Sequence, residues 1–370
     1  MVVRRQNLLP HSELPYTVPF GGEHGPIYDS GDMVAGLDAF HDRADVDGIR
    51  EQVLRRRQQG ELVGLGTAFA MEHSGNGKHE SVVATLDHDG VVTLGTGAAE
   101  VGQGVIDTVL RVAADRVGIA TSALRVVAGD SRGHREGRGT FGSRTTIFVG
   151  SAVADAGGRL RSEAIRRAAD KLGVPTAQIV VGPQTLRGGT GEVAWKDLAP
   201  IHVEGVHEMA DATWGFGAYL AVVAVDPVSA VPAVERLSVA YDCGVAIDPD
   251  NVHRQLVGGA VHGLGGALHE ELAYAPDGQP LATTLMDYAI PTSAEVPDVE
   301  AFVLELEPAS GNPLGVKGAG EAGVIGGRCR RRQRGRRCTR PPGRHLVPAR
   351  APPEVFRAFD TTALDRQEIP

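Results

Sequence analysis

The 370-residue chain has three cysteines, Cys243, Cys329 and Cys338, too few and too scattered for a disulfide framework, and they form no CxxC pair. No apolar run is long enough to span a membrane. The first residues, MVVRRQNLLPHSELP, are basic but lack the apolar stretch of a signal peptide. These absences predict a cytoplasmic protein with no membrane partner. There is no Walker A sequence, no HExxH and no Cys/His metal set, and no G-x-S-x-G supports a Ser-His-Asp triad. Acidic residues are missing from one stretch, Gly327–Arg344, where nine of eighteen residues are Arg.

The whole is 42% hydrophobic and 22% charged, ordinary for a globular protein with a substantial core. Its length suggests two or three domains or subdomains. Taking the nine arginines out of a formal net charge of −9 leaves −18 on the rest. The body is therefore acidic and unsuited to nonspecific nucleic-acid binding. The Arg block itself is open to two readings. One is a basic arm for RNA or DNA, with affinity that falls steeply with salt. The other is a local frameshift in a GC-rich gene. The block has no hydrophobic period and gives way abruptly to ordinary sequence at APPEVFRAFD, which favours the frameshift.

Residues 1–45 read as extended and turn-rich, with a helix over 33–42 after the turn YDSGDM. A second helix is expected over 46–59, stopped by Gly60. Alternation then marks strands at 64–73 and 80–97, the latter a hairpin turning at Asp89-Gly90. A Gly-rich loop leads into an amphipathic helix near 104–117, with Val105, Val109, Val112 and Ala113 on one face. After the strand LRVVAGD comes a loop feeding a long helix in two parts, then a strand–turn–strand at 178–195. A second hairpin follows at 218–244, turning at Asp226–Ala230, and a helix near 251–271. Hairpin, polar loop and helix thus occur twice, which predicts an α+β fold of two similar subdomains facing each other, with a site between them.

Four loops are candidates for that site. Gly102-Gln103-Gly104 precedes a helix, where backbone N–H groups and the Gln103 amide suit an oxo group or phosphate; a plain helix-entry turn is the alternative. GTFGSRTT places Ser143, Arg144, Thr145 and Thr146 in one polar run suited to a phosphate or polar heterocycle, or to simple capping. In the helix that carries Gln255, glycines 258, 259, 263, 265 and 266 cost about 1 kcal/mol each relative to Ala, which implies close packing on a helix or ligand. Last, GVKGAGEAGVIG sets Glu321 among glycines. Burial there would make it a general acid or base; the alternative is a solvated turn. Gly318–Gly323 also matches G-x-G-x-x-G, but GNPLGVK is a poor strand and no acid follows at the dinucleotide-binding distance.

Order and spacing carry a resemblance. RRQNLLP, YDSGDM, GTGAAEVGQGVIDT, GDSRGHREGRGTFGSR, VAVDP, DCGVAIDPDNVHRQLVGGAVHGLGGALHEE, MDYAIPT and NPLGVKGAGEAGVIG together resemble the molybdopterin-binding large subunit of the xanthine dehydrogenase/aldehyde oxidase/carbon monoxide dehydrogenase family, over about residues 1–326. The resemblance implies the molybdenum-cofactor-binding fold: two similar two-layer α/β subdomains with mixed sheets behind an extended N-terminal segment. It implies an enzyme component that oxidises a small aldehyde, an N-heterocycle or CO. Glu321 would be the catalytic base and Gln103, with Gly102 and Gly104, would lie by the molybdenum. Ser143, Arg144, Thr145, Thr146, Gln255, Gly318 and Gly320 would contact the pterin or its dinucleotide. No protein side chain would ligate the metal, which is held through the pterin dithiolene. The cofactor would be molybdenum-molybdopterin, in bacteria usually as the cytosine dinucleotide. Electrons would leave to [2Fe–2S] and FAD on partner subunits, which agrees with the lack of a Cys cluster here.

The chain departs from the family pattern in places. Val105 stands where His is frequent, His262 where Gln is common, and the Arg block where an Ala-rich helix is expected behind Glu321. The family's subunit is much longer, so the chain reads as its C-terminal half, inactive without the other half. The expected division is an N-terminal linker 1–62, subdomains 63–205 and 206–326, an irregular Arg-rich segment 327–350 and a tail 351–370. The main competing reading is a truncated, inactive remnant.

Overall fold

The computed structural model describes residues 2–19, 25–75, 77, 79–130 and 137–326. The expectations for 327–350 and 351–370 lie outside the described residues. In chain order come α1 (Val2–Asn7), β1 (Tyr16–Thr17), β2 (Ile27–Tyr28), α2 (Met33–Arg43), α3 (Val46–Gln58), β3 (Val63–Ser74), β4 (His79–Leu86), β5 (Val92–Thr96), α4 (Val105–Val117) and β6 (Leu124–Ala128). A π-helical turn, Thr146–Gly150, runs into α5 (Ser151–Leu172). Then follow β7 (Val180–Val181), β8 (Thr185–Gly188), β9 (Gly191–Ala194), β10 (Ile201–Glu208), β11 (Thr213–Val225), β12 (Pro232–Asp242), α6 (Pro249–Leu268), β13 (Val299–Leu304) and α7 (Ala322–Ile325).

The twofold recurrence in the sequence is a recurrence of sheets. Hairpin β4–β5, helix α4 and strand β6, parallel to β5, build one sheet; hairpin β11–β12, helix α6 and strand β13, parallel to β12, build the other. Each gains an antiparallel fourth strand, giving the orders β10-β4-β5-β6 and β3-β11-β12-β13. The fold is α+β with mixed sheets. The linear division at 63–205 and 206–326 does not follow these sheets. β3 precedes the first hairpin in sequence but pairs along its whole length with β11, and β10 returns to β4. Pairing is non-local, and alternation within a strand carries no information about its partner.

Helices α4 and α5 cover one face of the first sheet, where Val82, Ala84, Leu86, Val92 and Leu94 meet Val109, Val112, Ala156 and Leu160. α5 comes so close to β10 that a Cβ on Gly205 would stand 2.3 Å from the Ala152 carbonyl oxygen. The second sheet carries a further layer. Ala218, Leu220 and Val222 face α2 and α3, while the alternate residues Tyr219, Val239 and Tyr241 face α6 and α7. Aspartates start α2, α3 and α6: Asp32, Asp45 and Asp248 accept the N–H groups of Ala35, Gly48 and Asn251. At the N-terminus, α1 is a helix where an extended segment is expected. The prolines and glycines of 1–45 begin only at Pro10, after α1 has ended.

Candidate functional site

The loop after β5 and the loop after β12 occupy equivalent places in the two sheets, each leading into a helix. Between them, with the 140–146 loop and the 316–321 loop, lies a cavity of about 430 Å³. Gly102, Gln103, Ser143, Thr145, Thr146, Gln255, Gly318, Gly320 and Glu321 all line it. Cys243, Val245, Asp248, Asn251 and Lys317 are also in its wall. Arg144 and Gly104 are the two predicted site residues that do not line it.

The Glu321 loop is held from three sides. Tyr219 of β11 donates its hydroxyl to the Ala322 carbonyl oxygen at 2.5 Å. The hydroxyl of Tyr241 in β12 lies 2.7 Å from the Gly318 carbonyl oxygen. Lys317 Nζ is buried and donates to Asp242 Oδ2 at 2.7 Å and to the Ser30 carbonyl oxygen at 3.4 Å, which ties the YDSGDM segment to the loop. Gly318 sits so tightly that a Cβ would stand 2.5 Å from Ser143 Cβ and 2.6 Å from Ser74 Oγ. Ser143 donates to Glu321 Oε2 at 2.6 Å and accepts the Glu321 N–H at 3.2 Å. Its own φ is +48°, a conformation uncommon outside glycine.

Three expectations need correcting. Glu321 is exposed and lines the cavity rather than being buried in its loop. The buried acid at this loop is Glu72 of β3, 5% exposed, which in sequence is one acid within a strand and carries no site signal. Burial pushes its carboxyl up to about 7, helped by the nearby Glu321 charge and opposed by Ser143 and Tyr241 hydroxyls. Second, the backbone N–H groups of Gly102 and Gly104 are taken. Glu100 accepts from Gly102, Gly104 and Ile106 at 3.1, 3.1 and 3.0 Å, and so caps α4 with a carboxylate of this chain. Burial alone would raise the Glu100 carboxyl, but the N–H groups of Ile106, Gly104 and Gly102 outweigh it and hold it below its ordinary value. The Gln103 amide is likewise engaged, accepting from Val101 N–H at 2.7 Å and donating to the Ala99 carbonyl at 2.9 Å.

Third, Arg144 is fully buried away from the cavity. It donates to Glu80 Oε2 at 2.5 Å and to the carbonyls of Gly139 and His79 at 3.0 and 2.9 Å. A charged residue in a polar loop reads as a ligand contact; here it is a structural cation with its own buried carboxylate. Gly104 abuts Asn251 of α6, whose side-chain amide a Cβ would meet at 2.5 Å. The α6 glycines divide. A Cβ on Gly259 would stand 2.8 Å from the Gly323 backbone, and one on Gly265 2.9 Å from the Pro291 ring. Gly258 and Gly266 face open space.

Residues 39–297 match the model of the molybdopterin cofactor-binding domain. The chain belongs to the large-subunit family of xanthine dehydrogenase, aldehyde oxidase and carbon monoxide dehydrogenase. Among its relatives in this molybdopterin family is subunit gamma of the 6-hydroxypseudooxynicotine dehydrogenase complex of Paenarthrobacter nicotinovorans, 30% identical over 87% of this chain and 43% of that protein. The carbon monoxide dehydrogenase large chain of Hydrogenophaga pseudoflava is 29% identical over 88% of this chain and 44% of its own length. The crystal structure of quinoline 2-oxidoreductase from Pseudomonas putida 86 superposes with a TM-score of 0.79 at 25% identity, covering 88% of this chain and 45% of that one. The chain thus spans somewhat under half the length of these family members. Among the described residues no helix is long and apolar enough to cross a membrane.

Proposed function

We propose that this chain is the C-terminal part of the catalytic large subunit of a molybdenum hydroxylase or dehydrogenase, that it holds molybdopterin, as the cytosine dinucleotide, in the cavity between its two sheets, and that Glu321 is the base. The observation that carries this is the convergence of loops more than 200 residues apart on one cavity lined by two carboxylates, Asp248, which is committed to Arg111 and the start of α6, and Glu321, which projects from the glycine loop. The residues fit a large polar cofactor. The volume lies in the range of cofactor pockets. At Gly320 a Cβ would touch only Ser143 Oγ, at 3.4 Å, and otherwise fill the cavity itself. Thr145, Thr146 and Gln255 offer donors in the lining, and Gly318 and Gly320 let the backbone approach. Gln103 lies in the wall with its amide held, so it contributes a fixed surface.

When bound, the cofactor supplies the two-electron redox centre. Glu321 takes up a proton on its carboxylate, and Ser143, donating to Oε2, fixes which oxygen remains open to receive it. The substrate class is a small aldehyde, N-heterocycle or CO. Electrons leave to an iron–sulfur small subunit and an FAD subunit. Purification from the native host, with molybdenum and iron assayed per chain, tests this. Near-stoichiometric Mo with Fe supports a working complex; neither metal and no partner would leave an inactive remnant. In an active complex Glu321→Gln abolishes turnover while Mo content stays near normal. Retained turnover would remove Glu321 from the mechanism.

A further inference from the structure

The Tyr241 hydroxyl has one hydrogen and two oxygen neighbours, the Gly318 carbonyl at 2.7 Å and Glu72 Oε2 at 2.8 Å. A carbonyl only accepts. If Tyr241 donates to Gly318, the Glu72 contact is a hydrogen bond only when Glu72 is the donor, and a carboxyl group donates only when protonated. If Glu72 is ionised, Tyr241 turns its hydrogen to it. The Gly318 carbonyl then faces oxygen lone pairs at 2.7 Å with no hydrogen between. The surroundings favour the neutral acid. Glu72 is buried, and among the described residues its Oε1 has no hydrogen-bond partner, which an ionised carboxylate tolerates poorly. Glu321 brings a like charge from the loop. Behind Tyr241 stand Tyr219 of β11 and Cys243, both acting on it as further acidic groups. Lys317, in the same loop, is committed to Asp242.

The sequence provides for this contact. Glu72 on β3 is paired across the ladder with Gly215 on β11. A Cβ on Gly215 would stand 2.0 Å from the Tyr241 hydroxyl. The glycine leaves the gap through which Tyr241, one strand further on, reaches Glu72.

We propose that Glu72 is a positioning residue for the Glu321 loop: a neutral carboxylic acid that donates to Tyr241, which in turn donates to the Gly318 carbonyl and fixes the backbone from which Glu321 projects. While Glu72 is neutral it does not compete as an anion for the Ser143 hydrogen, which stays on Glu321. Ionisation of Glu72 reverses the Tyr241 hydrogen, repels the Glu321 carboxylate and frees the loop. The role in catalysis rests on Glu321 being the base; the relay itself does not.

The test reads the relay in the purified chain. Infrared spectra with glutamate-labelled protein at pH 6 show the carbonyl band of a buried protonated carboxyl, fading as the pH rises through 7 and absent in Glu72→Gln. Hydrogen exchange then reports on the amides of 316–322. Glu72→Gln, whose amide donates as the acid does, leaves them protected. Tyr241→Phe, which keeps the ring in the core, speeds them about tenfold, as loss of one buried hydrogen bond predicts. No protonated band at pH 6, or unchanged exchange in Tyr241→Phe, overturns the relay. Because neither readout needs turnover, the relay can stand if Glu321 is not the base, and can fail while Glu321→Gln still abolishes activity.

Discussion

Asn251, at the start of α6, donates its side-chain amide to the Gln103 carbonyl oxygen at 3.0 Å and so ties together the two helix-entry loops that face each other across the cavity. Beside it Arg111 of α4 pairs with Asp248, the N-cap of α6, at 3.0 Å. The two repeats meet where each turns from hairpin to helix. The Arg111 side chain is 56% exposed, so the amide bond is the stronger of the two ties. Asn251→Ala is expected to cost about 1 kcal/mol, as for one partly buried hydrogen bond. In urea this appears as a lower midpoint with an unchanged slope. An unmoved midpoint would mean the loops are held by packing alone.

Arg144 offers a sharper test. As a cofactor contact, its loss would empty the site and leave the fold intact. As the buried partner of Glu80, its removal strands a carboxylate with no solvent, and such losses cost about 3–5 kcal/mol. Arg144→Met is therefore expected to unfold the chain at markedly lower denaturant. Adding Glu80→Gln should recover most of the loss, because the stranded charge is gone. A fully stable Arg144→Met would return Arg144 to the cofactor site.

The repeat of hairpin and helix was legible because it is local: alternation, turns that open on aspartate and amphipathic spacing lie within about 15 residues of each other. The place of Glu321 at the cavity was legible because glycines flank it on both sides. What escaped was set by contacts distant in sequence. Nothing in GLGTAFAMEH says that β3 joins a strand 140 residues later, and so nothing says that Glu72 will meet Tyr241. Glu100 lies two residues before Gly102, yet its capture of the turn's N–H groups is a matter of rotamer. Charged side chains in polar loops read as solvated or ligand-bound, and Arg144 is neither.

Two helix glycines, Gly323 of α7 and Gly258 of α6, make opposite predictions. At Gly323 of α7 a Cβ would meet the Ala260 nitrogen and the Leu256 carbonyl oxygen at 2.4 Å, and backbone cannot step aside. Gly323→Ala is expected to cost about 1–3 kcal/mol or more and to displace the Glu321 loop. At Gly258 a Cβ meets nothing within 4 Å, so Gly258→Ala is expected to stabilise the chain by about 0.5–1 kcal/mol through helix propensity. Thermal unfolding of the two variants side by side checks the pair. Destabilisation by Gly258→Ala would show that this face is covered after all.

The raised Glu72 carboxyl fixes a pH dependence and its sign. Its ordinary value is 4.5 and in the fold it is about 7, so between the two the native state binds a proton that the unfolded chain releases. Stability from this group is fully present below pH 4.5 and is lost as the pH rises to 7. The loss is on the order of 3 kcal/mol for such a shift. Glu163, held down at about 2 by Arg166 and then Arg167, works in the opposite direction but only below its ordinary 4.5, so the two windows do not overlap. Glu72→Gln keeps a donor toward Tyr241 and has no charge to release. Its advantage over the unmodified chain should therefore be small at pH 5, grow through pH 6 and 7, and level off by pH 8. Denaturant midpoints across that range measure it. A constant difference between the two proteins would mean that Glu72 is ionised in the fold throughout, and that the Gly318 carbonyl is held by something other than a neutral acid behind Tyr241.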